Sequence, residues 1–405
     1  MKRLAMALLL CSMAMLMPAS AETSDHWIGS WSAAPDSTDP PFESQTIRQI
    51  VRISVGGSKV RLRLSNLFGT GPITLGPVHI AEHAKGSSTH PGTDHVVTFG
   101  GKPTVTIAKG ADVLSDAVSF SVAPLEELAV SMYVPGRTGT STIHGVGNQT
   151  AFITLKGDAT AATVFPAGEV SSSRFFLTDV EVSPSVAGSA IVVIGDSISD
   201  GVGSTQDLNA RWPDVLAERL HGDHALASIA VLNGGIAGNR ILHDGHDPFI
   251  GPSALARFDR DALGKSGVRY VLLLEGINDI AAASSFADTI DDVSAQQIID
   301  GMKLLIKRAH ENGKLIFAAT LTPYAGVDWP FYSVAGEAKR QMINTWIRSG
   351  GAFDGVVDFD RVLLDPAHPD HLLPAFDSGD HLHPNDAGHK AMAEAIDIHA
   401  LLRAN

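Results

Sequence analysis

The chain has 405 residues, long enough for two domains, and 44% of them are hydrophobic, which is enough to build real cores. Its formal net charge is −14, and an acidic chain without a basic stripe cannot neutralise phosphates, so we expect no nucleic-acid partner. The same charge is repelled by anionic membrane surfaces, so we expect no stable membrane association and favour neutral or weakly charged substrates.

The N-terminus has the pattern of a secretory signal peptide. Two basic residues precede an apolar run over 4–17, and Ala19-Ser-Ala21 forms a small-residue cleavage site. The run is short for a membrane span, so residues 1–21 are predicted to be removed. Cleavage after Ala21 takes away Cys11, the single cysteine, and two positive charges with no acidic ones, which moves the net charge from −14 to −16. We therefore expect a secreted or periplasmic protein without disulfides.

The segment from Trp27 to about Val182 reads as strands separated by turns. Alternating apolar and polar residues predict strands at 47–55 and 59–64, which Gly56-Gly-Ser58 joins as a hairpin. Further strands are predicted at 73–80, 104–108, 117–122, 128–134 and 175–182. Short alternating strands with frequent turns are typical of antiparallel sandwiches. Residues 27–183 are therefore predicted to form an all-β sandwich accessory domain.

Strands and helices alternate after residues 184–188. Apolar strands are predicted at 191–194, 228–232, 270–274, 315–320 and 355–359. The predicted helices are 214–220 after Pro213, one opened by the Ser294–Gln297 capping box, 335–347 and 385–396. Repeated strand–helix–strand units indicate a parallel sheet covered on both faces. Residues 188–403 are therefore predicted to form an α/β catalytic domain.

Ser197 stands at the end of the first of these α/β strands. Gly195 ends the strand, and Asp196 and Ser197 follow in a tight turn. The serine hydroxyl is thus presented at the carboxyl edge of the sheet, where open α/β folds bind ligands. Further polar loops at the same edge are 233–240, 276–279 and 380–384.

The chemistry of acyl transfer gives these loops complementary roles. A serine hydroxyl needs a base, which His383 can supply, and the base needs a carboxylate such as Asp380 to set its tautomer. The oxyanion of the tetrahedral intermediate needs donors. The backbone N–H of Gly238 and the side-chain amide of Asn278 are the candidates.

The same loops resemble the four motif blocks of the SGNH (GDSL-type) hydrolase family. The resemblance is carried by Gly195-Asp-Ser-Ile198, the glycine of Ala237-Gly-Asn239, Gly276-Ile-Asn-Asp279 and Asp380-x-x-His-Pro384, and it covers roughly residues 190–400. Ile198 stands where the family's nickname has Leu. The β-rich front half is similar, with less specificity, to the accessory domain of secreted two-domain members.

This resemblance implies a three-layer α/β/α, flavodoxin-like fold with a five-stranded parallel sheet. It also implies esterase or acylhydrolase activity, with Ser197 as the nucleophile, His383 as the base and Asp380 as its partner. The oxyanion hole implied is the N–H of Ser197, the N–H of Gly238 and the amide of Asn278.

Other sequence features offer competing sites. Residues 243–247 and His381-x-His383 contain metal-ligand types, but hydrolysis here already has a nucleophile, so we predict no metal and no cofactor. Glu275 ends a buried strand and is predicted to be a structural carboxylate. The aromatic cluster of Trp329, Phe331 and Tyr332 either lines an acyl or sugar pocket or belongs to the core.

The expected function is that of a secreted serine esterase. Small-molecule or polysaccharide esters with short acyl groups, such as acetylated polysaccharide, are the expected substrates. A lipolytic acylhydrolase of longer chains and a non-catalytic glycan-binding protein are the alternatives, and the five intact site residues argue against the latter. Because these residues all follow Gly188, the β-rich part is expected to support the site; if it contributes directly, His144 is the first candidate.

Overall fold

The computed structural model describes residues 26–39, 41–245, 250–286 and 291–402. The predicted signal peptide, with its cleavage site and Cys11, lies outside these residues. Within the described ranges, no helix is long and apolar enough to cross a membrane.

The first part of the described chain is built from strands that pair antiparallel. They are β1 Ile28–Ser32, β2 Ser37–Asp39, β3 Gln45–Arg52, β4 Gly57–Ser65, β5 Ile73–Leu75, β6 Val78–Lys85, β7 Ser88–Thr89, β8 His95–Val97, β9 Val105–Ile107, β10 Asp112–Leu114, β11 Val118–Val122, β12 Glu127–Val134, β13 Ser141–His144, β14 Ala151–Ile153, β15 Glu169–Ser171, β16 Arg174–Phe175 and β17 Leu177–Ser183. One sheet has the order β1-β17-β4-β10 with β11 beside β4, and another has the order β15-β14-β3-β12-β6-β7 with β8 beside β6. Smaller sheets are β16-β13-β2 and β5-β9. The β-rich character predicted from the sequence is confirmed.

The hairpin predicted at residues 56–58 is wrong. β3 pairs with β12 and β14, whereas β4 pairs with β17, β10 and β11, so the two strands lie in different sheets. Gly56 allows the crossing, because a Cβ there would lie 2.3 Å from the carbonyl oxygen of Val122. Alternation along a strand shows which face is buried, but it does not identify the neighbouring strand.

The second part of the described chain alternates strands and helices. Its elements are β18 Ser189–Gly195, α1 Ser197–Asp200, α2 Trp212–His221, β19 Ile229–Gly235, α3 Ala254–Phe258, β20 Val268–Leu274, α4 Ile277–Phe286, α5 Ala295–Glu311, β21 Leu315–Ala319, α6 Val334–Ser349, β22 Gly355–Val357, α7 Phe359–Leu363, β23 Leu364–Asp365, β24 His368–Leu372, α8 Asp386–Ala395 and α9 Ile398–Leu402. A π-helical turn, Asp259–Leu263, continues α3. The capping box predicted at Ser294 and Gln297 is present at the start of α5.

A five-stranded sheet lies at the centre of this second part, in the order β19-β18-β20-β21-β22. All its neighbouring strands are parallel. Apolar side chains of α2 and α8 pack on one face with Ile191 and Val193, and those of α5 and α6 pack on the other with Val192 and Ile194. The predicted three-layer α/β/α architecture is therefore confirmed.

The β-rich part shares a hydrophobic core with one face of the parallel sheet. Ile28 of β1 belongs to the same buried cluster as Val192 and Ile194 of β18. Strand β1 approaches β19 so closely that a Cβ on Gly29 would lie 2.7 Å from a methyl carbon of Leu232. The division into domains at residues 183–188 stays a prediction, but the two parts are packed against each other.

Candidate active site

Ser197 is the first residue of α1, directly after β18. Asp196 caps the helix by accepting a hydrogen bond from the Ile198 N–H at 3.0 Å. Gly195 is required for the tight turn, because a Cβ there would lie 2.2 Å from the Ser199 hydroxyl. The turn holds Ser197 at the carboxyl edge of the sheet, and the residue is 7% exposed.

Ser197, His383 and Asp380 form one hydrogen-bonded chain. The Nε2 atom of His383 lies 2.8 Å from the Ser197 hydroxyl, and its Nδ1 atom lies 2.6 Å from Oδ2 of Asp380. The structure therefore brings together three residues that are as much as 186 positions apart in sequence. In this arrangement Asp380 accepts a hydrogen bond from the Nδ1–H of His383, which leaves Nε2 unprotonated and able to take the proton of the hydroxyl.

The segment from Asp380 to His383 positions the ring. The second carboxylate oxygen of Asp380 accepts the backbone N–H groups of Leu382 and His383 at 3.0 and 2.8 Å. Burial raises the pKa of Asp380, but the hydrogen bonds from the His383 ring and from these N–H groups outweigh it and hold the pKa below its usual 3.8. The carboxylate therefore stays ionised across the range in which most enzymes work.

The Gly238 N–H projects from a tight turn after β19. The Asn239 N–H donates to the Ile236 carbonyl at 3.0 Å and closes the turn, and Gly238 has a φ of +75°. A positive φ at the third position is the mark of a type II turn and favours glycine. Among the described residues, neither the Gly238 N–H nor the Ser197 N–H has a hydrogen-bond partner.

Asn278 lies in the first turn of α4, after β20. Its side-chain Nδ2 donates to the Asn239 carbonyl at 3.0 Å, which ties α4 to the turn that carries Gly238. The strands before these two loops, β19 and β20, flank β18 on either side. The sequence-predicted oxyanion residues therefore lie on three adjacent loops at one edge of the sheet.

A layer of buried carboxyl groups underlies these loops. Burial raises the pKa of Asp196 to about 7 and that of Asp279 to about 6, although Asp279 accepts the N–H groups of Ile241 and Leu242. Glu275 is 1% exposed, and burial, with the nearby Asp196 charge, raises its pKa well above the usual value. Glu275 is therefore closed to a substrate, which agrees with a structural role.

The histidines considered above as metal ligands, His381 and His383, form hydrogen bonds with different carboxylates. His381 holds Asp377 through Nδ1 at 2.6 Å, whereas His383 holds Asp380, so the two rings have different carboxylate partners. Of the stretch 243–247, residues 246 and 247 lie outside the described residues. Across the part of the chain that is described, no group of three or more ligand-type side chains has metal-binding geometry.

The aromatic cluster is divided between core and surface. Phe331 is 9% exposed and packs edge-on against Tyr324, so it belongs to the core. Tyr332 is half-buried, and its hydroxyl donates to Asp370 at 3.2 Å. Trp329 is 42% exposed.

Sequence reasoning missed three buried polar residues that support the site. Asp200 accepts the Ala237 N–H at 3.0 Å, and the amide of Asn239 donates to the Ile250 and Pro252 carbonyls. Arg257 donates to the carbonyls of Gly234 and Gly195 and to the Asn239 side chain. The sequence does contain a signal for Asp200, because it lies three positions after Ser197, in the same helical turn. It contains no such signal for Arg257.

Comparison with known proteins gives one family match and several structural similarities. The family model described as GDSL-like lipase/acylhydrolase matches residues 193–391. No curated protein matches the chain. The aryl esterase of M. smegmatis is 17% identical with a TM-score of 0.42, over 53% of this chain and 100% of that one. An acetylxylan esterase from Geobacillus stearothermophilus, solved as a catalytic mutant, is 19% identical with a TM-score of 0.39, over 52% of this chain and 93% of that one.

The family match spans the serine turn, the two oxyanion loops and the Asp380–His383 segment. It covers the parallel sheet from the middle of β18 onwards, together with most of α8. The similarity of this chain to the GDSL-like lipase/acylhydrolase family therefore lies in residues 193–391, the part that holds the parallel sheet and the candidate site.

Proposed function

We propose that this chain hydrolyses esters through an acyl-enzyme formed on Ser197. The observation that carries the proposal is the continuous hydrogen-bonded chain from the Ser197 hydroxyl through His383 to the ionised Asp380, with distances of 2.8 and 2.6 Å. A serine hydroxyl with an oriented base needs no further cofactor to attack an ester carbonyl.

In the acylation half-reaction, the Ser197 oxygen attacks the ester carbonyl carbon while His383 Nε2 takes the hydroxyl proton. The negative charge that develops on the carbonyl oxygen accepts hydrogen bonds from the N–H groups of Ser197 and Gly238 and from the Asn278 amide. Collapse of the intermediate breaks the bond to the alcohol oxygen, which receives the proton from His383. The acyl group remains on Ser197.

In deacylation, water takes the place of the alcohol. It gives a proton to His383 and attacks the acyl carbon, and the second tetrahedral intermediate releases the carboxylic acid. The proton returns to the Ser197 oxygen. Asp380 keeps its negative charge throughout and stabilises the imidazolium in both halves.

Short acyl groups are the substrates we propose, with acetylated polysaccharide as the natural class. An apolar cavity of about 530 Å³, lined in part by Val55, Val122 and Val186, lies at the amino edge of the parallel sheet, opposite Ser197, so it offers no acyl pocket to the nucleophile. The exposed Trp329 ring, on the loop after β21, offers an aromatic face of the kind that lines ligand sites. The acidic net charge disfavours anionic lipid surfaces.

The experiment is a p-nitrophenyl ester series from acetate to laurate, with the wild type and Ser197→Ala compared at each length. We expect the highest kcat/KM at acetate and background rates for the variant. Acetate release from acetylated xylan, with deacetylated xylan as the control, then tests the polysaccharide. A maximum at long chains favours the lipolytic alternative, and glycan binding without turnover favours the binding protein.

Export is proposed on the strength of residues 1–21. The mature chain is expected to begin at Glu22, and mass spectrometry of the secreted protein measures this directly. A chain that keeps Cys11, bare or lipidated, contradicts the proposal.

A further inference from the structure

A buried ionic chain crosses from the β-rich part to the helix that carries Ser197. His144 ends β13, and its Nε2 lies 3.0 Å from Oδ1 of Asp200 in α1. Its Nδ1 lies 2.9 Å from the Ala34 carbonyl and 3.4 Å from Oδ2 of Asp36. Asp36, His144 and Asp200 are 4%, 5% and 1% exposed. Burying three ionisable groups between two parts of a protein carries a large desolvation cost, so we looked for a functional role that this cluster could have.

The hydrogen-bond partners of the His144 ring determine its protonation state. Nδ1 faces the Ala34 carbonyl, and Nε2 faces both Asp200 and the Val146 carbonyl at 3.1 Å. Carbonyl and carboxylate oxygens only accept, so both ring nitrogens must carry protons. His144 is therefore an imidazolium that faces two carboxylates, Asp36 and Asp200. The same two carboxylates raise its pKa to about 10, against the opposing effect of its burial.

Among the described residues, two arginines are the other charged groups beside the ring. Arg174 and Arg211 border the same small cavity as His144 and Asp200. Arg211 pairs with Asp214 at 2.6 Å, and Arg174 donates to the Gln149 carbonyl at 2.7 Å. Within the described ranges, His144 is therefore the cation in direct contact with Asp200.

Asp200 passes this constraint to the turn that carries Gly238. Its second carboxylate oxygen accepts the Ala237 N–H at 3.0 Å. A Cβ on Gly235, the last residue of β19 before the turn, would lie 2.5 Å from the Asp200 backbone nitrogen, so the strand end packs directly against α1. Fixing the Ala237 N–H fixes the peptide plane before Ala237, and in a closed turn this limits the direction of the next N–H, that of Gly238.

The rest of the β13–β14 loop braces the chain that follows α1. The Asn148 amide donates to the Ser204 hydroxyl at 2.7 Å, and the Thr150 hydroxyl donates to Asp207 at 2.7 Å. The Gln149 amide donates to the Asn209 side chain at 2.8 Å. His144 is thus the innermost of a row of contacts between this loop and the serine-bearing segment.

We propose that His144 is a positioning residue for ester hydrolysis: by holding Asp200 it fixes the Ile236–Ala237 peptide and thereby limits the direction of the Gly238 N–H, so that the β-rich part helps to orient one oxyanion donor. The inference rests on the proposed acyl-enzyme mechanism. It gives the β-rich part a role in catalysis although every residue of the proposed triad lies in the α/β part.

The test compares His144→Gln, Asp200→Ala and the double variant with the wild type on p-nitrophenyl acetate. Each kcat is divided by the fraction of Ser197 that a fluorophosphonate labels, which removes any unfolded protein from the comparison. We expect His144→Gln to lower kcat by about 10- to 100-fold with a much smaller change in KM, because the donor acts mainly in the transition state. The double variant should be no slower than Asp200→Ala alone, because both changes act through one contact.

Lys265→Met is the matched control. Lys265 pairs with Asp179 at 2.6 Å across the same boundary between the two parts, but it touches none of the site loops described above. It should lower the melting temperature and leave kcat unchanged. An unchanged kcat for His144→Gln, or losses that multiply in the double variant, would overturn the inference. Activity that survives Ser197→Ala would instead show that the acyl-enzyme mechanism itself has failed.

Discussion

Substitution of Asn278 by alanine tests whether its side-chain amide acts in catalysis or only stabilises the fold. In Asn278→Ala the nucleophile, the base and both backbone donors stay in place. The amide has two N–H groups, and one of them is held by the Asn239 carbonyl at 3.0 Å. The loss of that hydrogen bond should lower the free energy of unfolding by about 1 kcal/mol. The loss of an oxyanion donor should raise the activation barrier by about 3–4 kcal/mol, which is about a hundred- to a thousandfold in kcat.

Asn66→Ala is the matched control for this change. The Asn66 amide also donates to backbone carbonyls, those of Gly71 and Ile107 at 2.9 and 3.1 Å, and the residue is fully buried in the β-rich part. It should lose as much thermal stability as Asn278→Ala, or more, and keep its kcat. The measurements are kcat, KM and melting temperature on p-nitrophenyl acetate. A normal kcat with a lowered melting temperature for Asn278→Ala would refute the oxyanion role.

Three further predictions follow from the site. Asp380→Asn should lower kcat by about a thousand- to ten-thousandfold, because the ring loses the carboxylate that sets its tautomer; a kcat near that of the wild type counts against the triad. The pKa of His144 is about 10, above the ordinary 6.5, so its stabilising effect is present in full below pH 6.5 and is lost as the pH rises through about 10. The difference in unfolding free energy between wild type and His144→Gln should therefore shrink over that range, by at most about 5 kcal/mol, and a difference independent of pH contradicts the ionic assignment. Dialysis against EDTA should leave the activity intact, whereas activity that is lost and then restored by zinc would direct attention to the His243 region.

The elements closest to the site were predictable because their signals are local. The geometry around Ser197 can be predicted from a buried strand that ends in Gly195-Asp-Ser197. That of Asp380 and His383 can be predicted from their short spacing, so both predictions need only a few neighbouring residues. The α/β strands and the capped helix α5 follow from hydrophobic period and from cap residues in the same way.

The missed features depend on contacts between distant residues. The pairing of β3 with β12 and β14 rather than with β4 depends on neighbours about 80 to 100 positions away, so the local turn pattern at Gly56 was misleading. The contact of His144 with Asp200 spans 56 positions and two parts of the fold. The sequence also does not predict the core that β1 and β19 share. Each strand is apolar, and this pattern does not indicate which other element packs on it.

The location of the acyl group tests the account most directly. The protein is mixed with p-nitrophenyl acetate, quenched in acid during turnover, digested and analysed by mass spectrometry. We expect an acetyl group on Ser197 in the wild type and no acetylated peptide from this segment in Ser197→Ala. The trapped fraction should be larger for acetyl esters with a more reactive leaving group, because acylation becomes faster while deacylation of the same acetyl-enzyme is unchanged. Turnover with the acetyl group on another residue, or undiminished turnover by Ser197→Ala, would contradict it.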